Sequence, residues 1–148
     1  FICCGCCRSD PVNFEFSLAK SGFVPGETIM FNLNIENRSS RQIRDIDVRL
    51  MQYVKFSAQN ATKTAKKIIC SARYLDKVLP RSSENWCSSC LIIPPICPST
   101  IPSSTTAIIQ VSYVITLSYL TSGLAIDKKL KIPITIGALP IYDYNKNE

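Results

Sequence analysis

Cysteines are the residues of this chain whose chemistry and spacing stand out. Eight occur among 148 residues; four of them flank Gly5, and Cys87 and Cys90 form a Cys-x-x-Cys pair. Thiols so arranged hold zinc, pair as disulfides, or stay reduced as small core or edge residues. The later pair falls in a predicted strand, where residues three apart point to opposite faces, unlike the tight turn of a zinc site. Reduced thiols are therefore favoured over zinc and disulfides.

Two groups of residues are candidates for contact with a membrane. The adjacent cysteines of the first cluster are candidate S-acylation sites: Cys3, Cys4, Cys6 and Cys7. The net charge of +6 favours anionic partners, either acidic lipid headgroups or an acidic cargo tail. The alternative is that such lysines only solvate a face or protect a strand edge. The candidate contacts are Lys63, Lys66, Lys67, Lys128, Lys129 and Lys131. Because the charges do not run together with interleaved aromatics, no nucleic-acid partner is predicted.

Residues that could carry out catalysis are few. The chain has no histidine, which removes Ser-His and Cys-His nucleophiles and every histidine metal ligand. Asp45 and Asp47, predicted to share one face of a strand, are the only close acidic pair. They are either a catalytic or Ca²⁺-binding pair or, as we favour, part of a solvated face. The five glycines fit turns and strand ends rather than a phosphate-binding loop. We therefore predict no enzymatic activity and no cofactor.

Two segments satisfy the N-glycosylation pattern, Asn37-Arg38-Ser39 and Asn60-Ala61-Thr62. Both fall in predicted turns, where Asn, Ser and Thr are common for conformational reasons. The favoured interpretation is turn chemistry, because nothing in the sequence indicates a secretory route. The chain begins with Phe1 and lacks the basic start and long apolar region of a signal peptide, so we expect it to be a piece of a longer protein.

The elements that must position these residues show a period of two, which predicts strands with one buried face. Apolar runs are too short to span a bilayer, and 148 residues suit one domain. The predicted strands cover residues 12–18, 29–35, 46–56, 66–73, 86–93, 108–120 and 130–136. About seven strands with hairpin-sized turns predict an all-β, antiparallel, immunoglobulin-like sandwich.

Three local features of these strands are also predicted. The break in alternation at Gln52 indicates a bulge or twist. The strand from Lys66 to Arg73 is rich in lysine, which suits an edge, with Ile68, Cys70 and Ala72 on one face. The strand that begins at Trp86 ends where Pro94 and Pro95 cannot donate to a ladder.

Several ordered motifs resemble the C-terminal domain of arrestin domain-containing proteins, the α-arrestins. Each motif alone is weak, but the ordered set covers Cys3 to Pro140 and is fairly specific. The motifs are the cluster Cys3-Cys-Gly-Cys-Cys-Arg-Ser9, the segment Ser21-Gly-Phe-Val-Pro-Gly-Glu-Thr-Ile29, the turn Ile35-Glu-Asn-Arg-Ser-Ser40, Trp86 with Leu91-Ile-Ile-Pro-Pro-Ile-Cys-Pro-Ser99, the strand Ile109-Gln-Val-Ser-Tyr113, and Leu130-Lys-Ile-Pro-Ile-Thr-Ile-Gly-Ala-Leu-Pro140.

The resemblance implies an arrestin C-terminal sandwich over residues 11–140. Residues 1–10 would then be a Cys-rich interdomain segment and the start of the first strand, and 141–148 the start of a C-terminal linker. It also implies a cytoplasmic adaptor, recruited to plasma membrane and endosomes, that binds receptor or transporter tails and trafficking factors in endocytosis, endosomal sorting and ubiquitination of cargo. The chain lacks a Pro-Pro-x-Tyr motif, so ubiquitin ligases would be recruited through sequence outside it.

Two other classes of protein remain as alternatives. One is a secreted or extracellular, disulfide-bonded immunoglobulin-like binding domain, which a count of free thiols distinguishes from a cytosolic domain with reduced cysteines. The other is a metal or redox protein that uses the cysteine clusters, which metal analysis tests.

Overall fold

The computed structural model describes residues 2–9, 12–58, 61–99, 108–121 and 126–138, with side chains for all of these except residues 2–9, 88 and 126–129. These residues form nine strands and no helix. The strands are β1 (Ile2–Ser9), β2 (Val12–Leu18), β3 (Gly22–Phe23), β4 (Thr28–Asn37), β5 (Ile43–Ala58), β6 (Ala61–Tyr74), β7 (Ser82–Ile92), β8 (Ile109–Thr121) and β9 (Ile126–Ile136).

The strands are arranged in two sheets, one of four strands in the order β1-β2-β4-β7 and one of five in the order β3-β9-β8-β5-β6. The predicted all-β sandwich is confirmed, and every pairing but one is antiparallel. Two of the nine strands were not predicted. The cysteine cluster in β1 shows no apolar alternation, and β3 has only two residues, which pair parallel to β9.

The core lies between the sheets and consists mostly of the apolar residues that alternation assigned to one face. Phe56 and Ile109, assigned to that face, are exposed, whereas Phe23 and Val78, outside the predicted strands, are buried. In β4, Ile29, Phe31, Leu33 and Ile35 are buried while the residues between them face outward. Phe31 stacks on Phe16 of β2 with ring centroids 5.2 Å apart and meets the edge of Trp86 at 5.2 Å. Trp86 also contacts Tyr74 of β6 at 5.3 Å, so aromatic rings link the two sheets at this edge.

The turn between β3 and β4 is closed by Glu27. Its side chain pairs with Lys20 and accepts a hydrogen bond from Val24 N at 2.9 Å. The bond with Lys20, and next the bond from Val24, lower the pKa of the Glu27 carboxyl. Gly26 has φ +86, a conformation that a residue with a Cβ rarely adopts. Gly26 N donates to Ile93 O at 2.8 Å, and Ile93 N donates to Glu27 O at 3.0 Å. The Pro-Gly-Glu motif thus attaches this turn to the segment that follows β7.

The lysine-rich strand lies at a sheet edge, as predicted, but it is longer than predicted and irregular. It runs from Ala61 to Tyr74 as β6, the last strand of the five-stranded sheet. An extra residue, Ile69, bulges opposite Leu50 and Met51, close to the irregularity predicted at Gln52. The bulge reverses the faces beyond it, so Ile69 packs against the core. Ile68, which we predicted on the face of Cys70 and Ala72, is instead half exposed.

Candidate interaction surfaces

Cys87 and Cys90 both lie on the outer, solvent-facing side of β7. In the pairing of β4 with β7, Phe31 is opposite Ser89 and Leu33 is opposite Trp86, so two residues of β7 face Asn32 alone. This bulge shifts the alternation by one residue, and both thiols are exposed. The prediction that residues three apart would point to opposite faces is therefore wrong for this pair.

The two cysteine clusters occupy opposite edges of the four-stranded sheet. Cys3, Cys4, Cys6 and Cys7 lie in β1, and Cys87 and Cys90 lie in β7, with β2 and β4 between them. Three strand spacings amount to about 14 Å. A tetrahedral zinc site needs every sulfur at about 2.3 Å from the metal, so one site cannot use both clusters. Cys70, Cys87, Cys90 and Cys97 carry free thiols. S-acylation of the β1 cysteines stays a prediction.

Asp47 is buried in an ion-pair cluster, which corrects the solvated acidic face predicted for Asp45 and Asp47. Arg73 donates Nε and Nη2 to the two carboxylate oxygens at 3.0 and 3.2 Å, and Arg49 donates Nη2 at 3.2 Å. Asp45 is exposed with φ 52, at an irregularity where β5 and β8 lose register. Two guanidinium groups thus occupy the Asp47 oxygens that Ca²⁺ would need. No group of three metal-ligating side chains occurs in the described part of the chain.

Asn37 is a buried structural residue, which agrees with the turn interpretation and leaves its side chain inaccessible to a glycosyltransferase in the folded domain. Its Nδ2 donates to Arg41 O at 2.8 Å, Leu79 O at 3.2 Å and Val78 O at 3.3 Å, and its Oδ1 accepts from Ser39. One amide therefore fastens the turn after β4 to the loop between β6 and β7. The other sequon asparagine, Asn60, lies outside the described residues.

Tyr113 fastens the segment after β7 to the five-stranded sheet. The ring is buried in β8, and its hydroxyl donates to Cys97 O and accepts from Gln52 Nε2 at 2.9 Å. Burial, and next to it the hydrogen bond with the Cys97 thiol, raises the pKa of Tyr113 to about 12. The neutral hydroxyl is thus the form that the folded domain stabilises.

In the variant Tyr113→Phe, the free energy of unfolding is expected to fall less than in the wild type as the pH rises through the alkaline range. Tyrosine titrates near pH 10 when unfolded and at about 12 here, so the stabilising effect is complete below pH 10 and is lost as the pH rises toward 12. Between pH 9 and 11 the wild type should lose about 1 kcal/mol more than the variant in urea unfolding. Parallel losses in the two proteins would contradict the shifted pKa.

The outer face of the four-stranded sheet carries a shallow hollow of about 360 Å³. Amide and carboxylate side chains line it, and the register places Glu15 of β2, Asn34 of β4 and Asn85 of β7 in one row across the sheet. Asn85 donates a hydrogen bond to Asn34. A row of amides offers hydrogen-bond donors and acceptors to the backbone of a polypeptide laid across it.

The six lysines proposed as anionic contacts fall into two separate places. Lys63, Lys66 and Lys67 are exposed on β6, at the end of the five-stranded sheet where β5 and β6 form a hairpin. Lys131 is exposed on β9 opposite Thr116, and Lys128 and Lys129 belong to the same strand. Ile109, in register with Lys63, lies seven positions along β8 from Thr116, about 23 Å, and Tyr113, in register with Lys67, lies three positions, about 10 Å. Because β5 and β8 also lie between β6 and β9, three strand spacings, about 14 Å, separate the two sets across the sheet.

No helix long and apolar enough to cross a bilayer is present in the residues that the structure describes.

Comparisons with known proteins agree with this architecture. The chain is 30% identical over 132 residues to arrestin domain-containing protein 4 of Homo sapiens, covering 89% of this chain and 30% of that protein. The Mus musculus protein of the same name is 27% identical over 143 residues, covering 97% and 33%.

A more distant relative is arrestin domain-containing protein C of Dictyostelium discoideum, 26% identical over 137 residues, covering 84% of this chain and 19% of that protein. The chain thus spans a third or less of these curated relatives. The family profile "Arrestin (or S-antigen), C-terminal domain" matches residues 8–141, which include strands β2 to β9. The chain belongs to the arrestin C-terminal domain family.

Proposed function

We propose that this domain is a non-enzymatic adaptor module that binds the cytosolic tails of membrane receptors or transporters, or trafficking factors. The observation that carries the proposal is the family match over residues 8–141, which extends across nearly the whole sandwich. Such a role places the domain in the cytoplasm, with recruitment to plasma membrane and endosomes, in endocytosis, endosomal sorting and ubiquitination of cargo. Ubiquitin ligases would bind sequence outside this chain.

The hollow on the four-stranded sheet is the surface that we propose for the tail. Its amide row of Asn34 and Asn85 pairs with the backbone of an extended segment, while Glu15 and Glu84 beside it attract basic side chains. Cytosolic segments next to membrane spans are enriched in Lys and Arg, so their charge complements this rim. A domain with two rigid sheets holds such a row in place before binding, which reduces the entropy cost of association.

A fluorescence anisotropy titration tests the proposal with the 148-residue chain and a panel of labelled receptor and transporter tails. We expect saturable binding by some tails, absent for their scrambled sequences, and at least tenfold weaker for the double variant Asn34→Ala, Asn85→Ala because its peptide backbone bonds are lost. Gln110→Ala, an exposed amide on the other sheet, is the matched control and should bind normally. If no tail binds the folded chain better than its scrambled form, the adaptor proposal fails.

A further inference from the structure

The free end of the β5–β6 hairpin exposes apolar side chains. We call residues 53–58 of β5, 61–67 of β6 and the adjoining residues 108–110 the hairpin end. Phe56 stands opposite both Lys63 of β6 and Ile109 of β8, so these three side chains form one row on one face. Phe56 is 42% exposed, Ile109 49% and Ile108, whose carbonyl accepts from Ser57 N, 67%. Large apolar side chains thus face water where the sheet ends.

The same end is strongly cationic. The residues of the hairpin end include four lysines and no Asp or Glu, and β8 has no charged residue. Lys63 and Lys67 share the face of Phe56, whereas Lys55 and Lys66 belong to the opposite face, where Lys66 Nζ lies 5.7 Å from the ring centre of Tyr53. Lysines on both faces flank the apolar residues, so an anionic surface that meets the end of the hairpin contacts lysines of both faces.

We propose that the hairpin end is a peripheral membrane anchor, which places Phe56, Ile108 and Ile109 among the acyl chains of an anionic bilayer and the surrounding lysines at its headgroups. A bilayer supplies both an apolar phase and a sheet of negative charge, and this edge offers a complement to each. An acidic peptide would complement the lysines alone. The inference goes beyond tail binding, because it concerns another surface and a lipid partner.

Sedimentation with vesicles tests the charge requirement. The chain should pellet with phosphatidylcholine vesicles that contain a quarter phosphatidylserine, should stay in solution with phosphatidylcholine alone, and should bind less as salt rises. Each lysine near an anionic leaflet strengthens binding about fivefold, so Lys63→Gln, Lys66→Gln, Lys67→Gln together should weaken it about a hundredfold. The matched triple Lys128→Gln, Lys129→Gln, Lys131→Gln removes the same charge from β9 and should bind like wild type.

Fluorescence tests the insertion. In the variant Phe56→Trp, bromine-labelled lipids should quench the new tryptophan, while in the wild type they should leave Trp86, the only natural tryptophan, unquenched. Phe56→Ser with Ile108→Ser should weaken vesicle binding at least tenfold without changing its salt dependence; both side chains are exposed, so the fold is retained.

Three results would overturn the anchor. Binding without quenching at position 56 would mean that the chain only adsorbs to the headgroups. Equal losses in the β6 and β9 lysine triples would mean that net charge, and no particular surface, governs binding. Binding of an acidic peptide at the hairpin end, with no binding of wild type to the vesicles at any salt concentration, would show that the surface recognises protein. Because no cargo tail is present, none of these outcomes bears on the proposed adaptor role.

Discussion

Replacement of Asn37 by alanine should lower the free energy of unfolding by roughly 2–3 kcal/mol, although the residue lies at the end of a strand and in an N-glycosylation pattern. The Asn37 side chain is 1% exposed and donates to three backbone carbonyl groups. Val78 O and Leu79 O keep a second donor, from Ile43 and Ser82, so the substitution does not leave them unpaired. The expected loss is therefore that of several hydrogen bonds rather than of several orphaned groups.

Urea unfolding followed by Trp86 fluorescence measures this loss. Asn34→Ala is the matched control, since Asn34 occupies the same strand with an exposed side chain, and it should change stability by less than about 0.5 kcal/mol. Asn37→Asp retains the acceptor for Ser39 but loses the donated bonds, and it should be at least as unstable as Asn37→Ala. If Asn37→Ala and Asn34→Ala unfold at the same urea concentration, the side-chain hydrogen bonds of Asn37 do not stabilise the domain.

The strands that carry the core could be predicted because alternation of buried and exposed side chains is a property of the local backbone. Val12 to Leu18 and Thr28 to Asn37 alternate without interruption, and the structure buries the apolar residue at every second position. Prediction failed where an added residue shifts the period. The bulge at Ile69 exposes Ile68, and the bulge opposite Asn32 brings Cys87 and Cys90 to one face. Such shifts arise from pairing with another strand, so nothing within the strand itself indicates them.

The polar contacts could be predicted even less, because their partners are distant along the chain. Asp47 of β5 pairs with Arg73 of the neighbouring strand β6, and Gln52 of β5 bonds Tyr113 of the neighbouring strand β8, because the register places each pair opposite one another. A buried Asp looks like an exposed one in the sequence unless its partner is known. Separation of the six lysines into two places has the same origin: Lys67 and Lys131 appear alike in the sequence, yet β5 and β8 lie between their strands. The lysine-rich edge itself could be predicted from composition.

Replacement of Phe31, which lies among the aromatic rings at the edge formed by β6 and β7, should have the largest effect on stability. Phe31 is fully buried and contacts Phe16 and Trp86. Phe31→Ala removes the ring that lies between Phe16 and Trp86, the residue that contacts Tyr74 of the other sheet, and leaves a cavity that rigid neighbouring strands cannot fill. The expected loss is about 3–5 kcal/mol in urea unfolding, a large part of the stability of a domain of this size.

Met30 provides the control for this substitution, because it is the preceding residue of β4 and points away from the core at 43% exposure. Met30→Ala should cost less than about 1 kcal/mol, since most of its side chain already meets water. Near-equal losses for the two variants would show that the stacked rings do not carry the stability of this edge. Phe31→Ala should also shift Trp86 emission in the folded state to longer wavelength, because the half-buried indole loses the ring that shields its edge. Destabilisation without that shift would place the cavity away from Trp86 and contradict the edge contact between the Phe31 ring and the indole.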